Sequence, residues 1–240
     1  MRARTSVLWL AAVLAFGACG GDNDSASSTT TVAPATTTTL SQVQLDEQKA
    51  QRIVLTATDL PGYTQDPPDP SVDSPEFEAA ANACVNNNPL IVALGTDTDP
   101  RGAVSPDFSK GETVTVSSSV TFGESDDAAR SVMADLNAAA FPACFSRAFT
   151  TELRKDATNS NVSVTTTKLP AVNVGEQSVG YRTVARFRTQ GTNIVLNIDF
   201  TFIRVGRGFA SLQDLQATTP FPEAERLRLA TALAGRMAAP

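Results

Sequence analysis

The sequence predicts an α+β domain: an antiparallel β-sheet with helices packed mainly on one face, fastened by one disulfide. Three observations predict it. Several stretches alternate apolar and polar residues with the period of two that marks a half-buried strand. Others repeat apolar residues at helical spacing, and two cysteines, Cys84 and Cys144, stand far apart in a chain with one further cysteine.

The elements follow in chain order. Gln42 to Leu55 has helical spacing and leads into the turn signal Pro61-Gly62. After a proline-rich passage, Pro75-Glu76-Phe77 opens a helix on which Phe77, Ala80, Ala81 and Cys84 share a face, which predicts that Cys84 points into the core. Val114, Val116, Val120 and Phe122 alternate with Thr and Ser as a half-buried strand. Ser125 is a natural helix N-cap, with Asp126 and Asp127 at the positive end of a helix reaching about Ala140; Val132, Met133, Leu136 and Ala140 form its inward stripe. Val162 and Val164 mark another strand. Pro222 suits the start of a last helix with Leu227, Leu229, Leu233, Ala234 and Met237 inward.

A hairpin is the best-determined element. With Gly191-Thr192 as a two-residue turn, Phe187 pairs with Leu196, Ala185 with Ile198, Thr183 with Phe200 and Tyr181 with Phe202. A slip of one residue would turn this apolar face outward. The chain then turns at Gly206-Arg207-Gly208 into a strand from Phe209 to Leu212, whose register the pattern leaves open.

The N-terminus carries an address. Arg2 and Arg4 precede an unbroken apolar run, Val7 to Phe16, too short to span a bilayer and typical of a signal peptide. Phe16-Gly17-Ala18-Cys19-Gly20 resembles the lipobox of bacterial lipoprotein precursors, with Phe16 where Leu, Val or Ile is usual. That resemblance implies a diacylglycerol (palmitate-type) anchor on Cys19 and cleavage after Ala18; the alternative is a plain secretory peptide with Cys19 incidental. The expected organisation is residues 1–18 as signal peptide, 19–44 as lipidated cysteine and a Ser/Thr-rich tether, and 45–240 as a single domain. The expected place is the outer face of the cell membrane.

Loss of Arg2 and Arg4 takes the formal charge from −6 to −8, so nucleic acid is a poor partner. A composition rich in Ala, Thr and Val, with far more Arg than Lys, fits a GC-rich, actinobacterial source. In an oxidising compartment Cys84 and Cys144 are expected to pair; free thiols or a metal pair are the alternatives, and without any His no ordinary zinc site can be completed.

The lack of His also removes Ser-His-Asp and Cys-His catalysis. Gly175-Glu176-Gln177-Ser178-Val179-Gly180 is not a nucleophile elbow, because Glu176 stands where Gly belongs. Asp97-Thr98-Asp99-Pro100-Arg101-Gly102 begins like a calcium loop and then fails at Arg101 and Phe108. No enzyme activity and no cofactor are expected. One polar cluster remains: Arg182, Arg186 and Arg188 project from one side of the hairpin, with Asp199 and Asn197 on the neighbouring strand. It is either an ordinary exposed face with cross-strand pairs or an anion site, and a covering helix with Glu223 or Glu225 would make it structural.

Asp59-Leu60-Pro61-Gly62-Tyr63, the separated cysteines, Arg204-Val205-Gly206-Arg207 and the closing Ala-rich helix together resemble the extracytoplasmic sensor-type domains that actinobacteria fuse to membrane serine/threonine kinases and also make as free lipoproteins. Kinase-linked members typically carry two disulfides, whereas only one can form here. The resemblance implies ligand binding or signal sensing. The alternatives are a structural or interaction protein of an envelope complex and a carrier of lipids or small molecules.

Overall fold

The computed structural model describes residues 40–66, 74–94, 99–156 and 158–240. Cys19, the expected signal peptide 1–18, the expected tether 19–44 as far as residue 39, the proline-rich stretch 67–73 and the Asp97-Thr98 start of the calcium-like loop lie outside the described residues.

Among the described residues fourteen elements follow in order: α1 (Gln42–Ile53), β1 (Thr64–Asp66), α2 (Pro75–Ala83), α3 (Pro89–Ala93), β2 (Ala103–Val104), β3 (Asp107–Lys110), β4 (Val114–Phe122), α4 (Asp126–Leu136), α5 (Phe141–Lys155), β5 (Asn159–Lys168), β6 (Gln177–Thr189), β7 (Thr192–Val205), β8 (Gly208–Ala217) and α6 (Glu223–Ala238). The strands form one antiparallel sheet in the order β1-β3-β4-β8-β7-β6-β5, with β2 beside β4. The long strands at its centre are consecutive hairpins, so sequence neighbours are also sheet neighbours.

Each face of the sheet has its own core. On one, Val179, Tyr181, Phe202 and Phe209 pack under Val132, Met133 and Leu136 of α4 and Phe141 of α5. Here α2, α3, α4 and α5 gather, so that most of the described helices share one face, as the sequence predicts. On the other, Val116, Val120, Ile203, Ala210 and Leu212 meet Ala50 and Ile53 of α1 and Leu229, Ala230 and Leu233 of α6.

Local chemistry explains the helix boundaries. Ser41 accepts from the Gln44 amide while the Gln44 side chain accepts from the Ser41 amide, a reciprocal capping box on α1. Ser125 caps α4 as predicted. That helix stops at Leu136, however, and Ala140 is exposed rather than inward. A separate helix, α5, begins at Phe141 with Pro142 in its first turn. On α6 the inward stripe is Arg226, Leu229, Ala230, Leu233, Ala234 and Met237. Leu227 is 41% exposed, a correction that follows from its position about 100° round the helix from Arg226.

The hairpin register is corrected by two residues. Gln190 and Gly191, both at positive φ, make the turn. Tyr181 therefore pairs with Phe200, Thr183 with Ile198, Ala185 with Leu196 and Phe187 with Ile194. A shift of two preserves side-chain parity, so the apolar face stays where the alternation puts it.

Cys84 and Cys144 are bonded, joining the C-terminal cap of α2 to the first turn of α5 with Cα atoms 5.6 Å apart. Cys84 is half-buried at the margin of the core instead of inside it. On α5 Phe141 stacks on Phe145 and Phe149 is tilted against Phe145, with Phe77 of α2 set edge-on to Phe149.

The motifs near the two ends of the domain are structural ties. Asp59 accepts from the Thr56 amide and pairs with Arg236 of α6, while Arg228 donates to the Asp59 carbonyl at 2.6 Å. Arg204 is buried and bonds Gln177, Glu176 and the Gly206 carbonyl. Arg207 pairs with Asp46 of α1 and lies over the Phe122 ring. Arg101 reaches the same Asp46 at 3.3 Å.

Candidate functional site

The hairpin brings Arg182 directly opposite Asp199. Arg182 Nε and Nη2 donate to the two carboxylate oxygens at 2.7 and 2.6 Å, the fork-to-fork geometry that suits a guanidinium. Arg186 and Arg188 lie further along the same face and are exposed. Arg188 Nε is turned back onto the Gly191 carbonyl at 2.9 Å. The three arginines thus share a face but not a site: one belongs to a buried pair and two stand at its open margin.

A helix does cover part of this face, and it is α6. Of the two expected carboxylates, Glu225 bonds Arg228 instead. Glu223 acts on Arg182 only through its charge; the Asp199 bond is the main cause that raises Arg182 further above its already high value. The α6 residue that reaches the cluster is a fourth arginine. Arg226, 3% exposed, places Nε 3.8 Å from the Asp199 carboxylate. Its guanidinium lies over Gly180 of β6, where a Cβ would stand 3.4 Å from Arg226 Nη1, in ordinary contact.

Opposite Asp199 on β8 is a second carboxylate, Asp214, 1% exposed. Neither of its oxygens has a hydrogen-bond partner, and neither do Arg226 Nε, Arg226 Nη1 or the buried hydroxyl of Thr201. Buried polar groups in folded proteins are nearly always bonded, so five unused atoms on three adjoining residues set this region apart. Burial, and next the Asp199 charge, push the Asp214 carboxyl up to about 8, against the weaker pull of Arg226 and Arg182.

The cluster under α6 is therefore Arg182, Asp199, Asp214, Arg226 and Thr201, with Asn197 beside it donating to the Gln216 carbonyl. Sequence reasoning found Arg182, Asp199 and Asn197 and missed Asp214, Arg226 and Thr201. Two of these carry a signal: Asp214 follows Ala210 and Leu212 on one face of β8 and breaks its apolar run, and Arg226 occupies the inward stripe of α6 at the spacing of Leu229, Ala230 and Leu233.

Two clefts open at the surface on either end of α6. One, of about 430 Å³, is lined by Gly175, Glu176, Val205, Ala234 and Gly235. The other, of about 440 Å³, is lined by Pro61, Tyr63, Lys110, Phe221, Pro222 and Glu225, with Lys110 Nζ 5.5 Å from the Tyr63 ring centre. Among the described residues no helix is long and apolar enough to cross a membrane.

No family model matches the chain, and no curated protein matches it. Among solved structures it is similar to the extracellular domain of PknH from Mycobacterium tuberculosis, at 9% identity and a TM-score of 0.40, over 79% of this chain and 95% of that one.

Proposed function

We propose that this chain is an exported, lipid-anchored protein whose folded domain is a non-enzymatic binding or sensing module on the outer face of the membrane. The observation that carries the reading is the Cys84–Cys144 disulfide. Such bonds persist in oxidising compartments, and this one agrees with the signal peptide and the lipobox-like Cys19. The buried cluster beneath α6 supports sensing over a purely structural role, because it holds hydrogen-bonding capacity that packing alone does not use. The motif resemblance to kinase-linked sensor domains points the same way.

Fractionation of cells making wild type and Cys19→Ala tests the anchor. The variant is expected in the soluble fraction or as an unprocessed precursor; maturation and membrane retention equal to wild type would overturn the lipobox reading. Purification of the intact lipoprotein from its own membrane, with mass spectrometry of what stays bound, tests the binding role.

A further inference from the structure

Asp199 and Asp214 face each other in register on β7 and β8, on the side of the sheet that α6 covers. They are not equivalent. Asp199 has both oxygens engaged by Arg182, whereas Asp214 has no donor at all. The charged and titratable groups around Asp214 come from every element packed there: Asp199 on β7, Arg182 on β6, Arg226 on α6 with Glu223 one turn earlier, and Tyr63 from the segment entering β1, whose hydroxyl is raised first by its burial and then by Glu225 and Asp214. The paired residue on β4 is the apolar Val116.

An ionised carboxylate in this setting would be dry, undonated and beside another carboxylate, so the neutral acid is the form that fits. Arg226 supplies the second half of a two-state arrangement. It stands by Asp199, whose oxygens Arg182 already occupies, and keeps Nε and Nη1 unused. When Asp214 loses its proton to bulk water, the new anion is the better partner for that guanidinium, and because α6 carries Arg226, a change of partner pulls on that helix.

We propose that Asp214 is a proton-binding site whose ionisation draws Arg226 from Asp199 to Asp214 and shifts α6 on the sheet, so that the domain reads the pH outside the cell. This rests on the sensing reading above and names the proton as the ligand. At low pH α6 sits as observed here; at high pH it occupies the Asp214-paired position.

The test uses the mature chain, with the proton itself as the probe. Carbon NMR follows the Asp214 carboxyl, identified by its loss in Asp214→Asn, from about pH 4 to about pH 9, and hydrogen exchange follows the α6 amides over the same range after correction for intrinsic rates. The expected result is a titration near 8, with α6 protection changing over the same interval in wild type and staying constant in Asp214→Asn. Arg226→Gln is the second variant: it should keep a titrating Asp214 and lose the α6 response, so the coupling can be read even if Asp214→Asn does not fold. Titration in the ordinary carboxylate range, α6 protection independent of pH in wild type, or an α6 response that persists in Arg226→Gln would each overturn the proposal. The module reading fails separately: a normal titration with nothing retained by the membrane-purified lipoprotein counts against a bound partner, not against the proton site.

Discussion

Arg207, in the turn between β7 and β8, donates from Nη1 to the buried carboxylate of Asp46 at 2.7 Å, joining α1 to the centre of the sheet across 161 residues of chain. Arg101 approaches the same carboxylate, so Asp46 gathers two arginines from distant segments. Its removal leaves two partly buried guanidinium groups without their acceptor. Asp46→Ala should therefore cost about 3 kcal/mol, read as a lower urea midpoint with an unchanged slope. A midpoint equal to wild type would mean that α1 is held by apolar packing alone.

The same tie sets the acid limit. Burial alone would raise Asp46 and Asp59, but bonds from Arg207 and Gln42 in one case, and from Arg236 and Thr56 in the other, hold both carboxyls below their usual value. A depressed folded value means that the stabilisation is full above the unfolded value of about 3.9 and is lost as pH falls through the lower folded one. Thermal melting should thus lose several degrees below about pH 4, and Asp46→Asn with Asp59→Asn should flatten that slope.

How much of this was legible in the sequence follows from what each feature depends on. Alternation in Val114 to Phe122 and in the Tyr181–Phe202 hairpin depends on one buried face, and both strands are found where the pattern puts them. The turn at Gln190-Gly191 was misplaced because Gly191 fits either position, and parity, which the apolar residues enforce, is blind to a shift of two. The helix at Phe141–Lys155 was missed although Phe141, Cys144, Phe145, Ala148 and Phe149 repeat at three and four; Pro142 reads as a break unless it is recognised as a first-turn residue. The charged cluster as a whole was not legible for a different reason: Asp214 and Arg226 each stand out within their own element, but their convergence on Asp199 depends on the register of β8 and on where α6 crosses the sheet, neither of which a single sequence encodes locally.

The arginine face divides into two kinds of residue, and mutation should separate them. Arg182→Gln strips a buried carboxylate of a bidentate partner and should cost about 3 kcal/mol. Arg186→Gln and Arg188→Gln change exposed side chains and should stay within about 0.5 kcal/mol of wild type. Equal losses at all three positions, measured by chemical denaturation, would show that the face acts as one structural network.

The disulfide should act mainly through the unfolded chain. Cys84 and Cys144 are separated by 60 positions, and closing a loop of that length contributes roughly 4 kcal/mol in the chain-entropy account. The paired serine variant, Cys84→Ser with Cys144→Ser, should unfold at much lower denaturant while keeping the wild-type far-ultraviolet spectrum at zero denaturant. Since α2 meets the rest of the domain chiefly through α5, exchange protection should fall first in α2 and last in β7 and β8.

Asp214 makes the opposite contribution to pH dependence from Asp46 and Asp59. Its folded value is raised to about 8, so between the unfolded value and that point the folded state binds a proton that the unfolded state has released. Stability should consequently fall as pH rises across that interval and level off above it. Together with the acid loss from Asp46 and Asp59, this places the stability maximum near about pH 4 to 5, lower than for most domains. Asp214→Asn keeps the shape of the side chain and removes its charge. The variant should lose the alkaline decline and exceed wild type at about pH 8 by an amount on the order of a few kcal/mol. Urea unfolding of both proteins at about pH 5 and about pH 8 measures the difference directly. Parallel curves would mean that Asp214 is ionised throughout and already paired with Arg226 in solution.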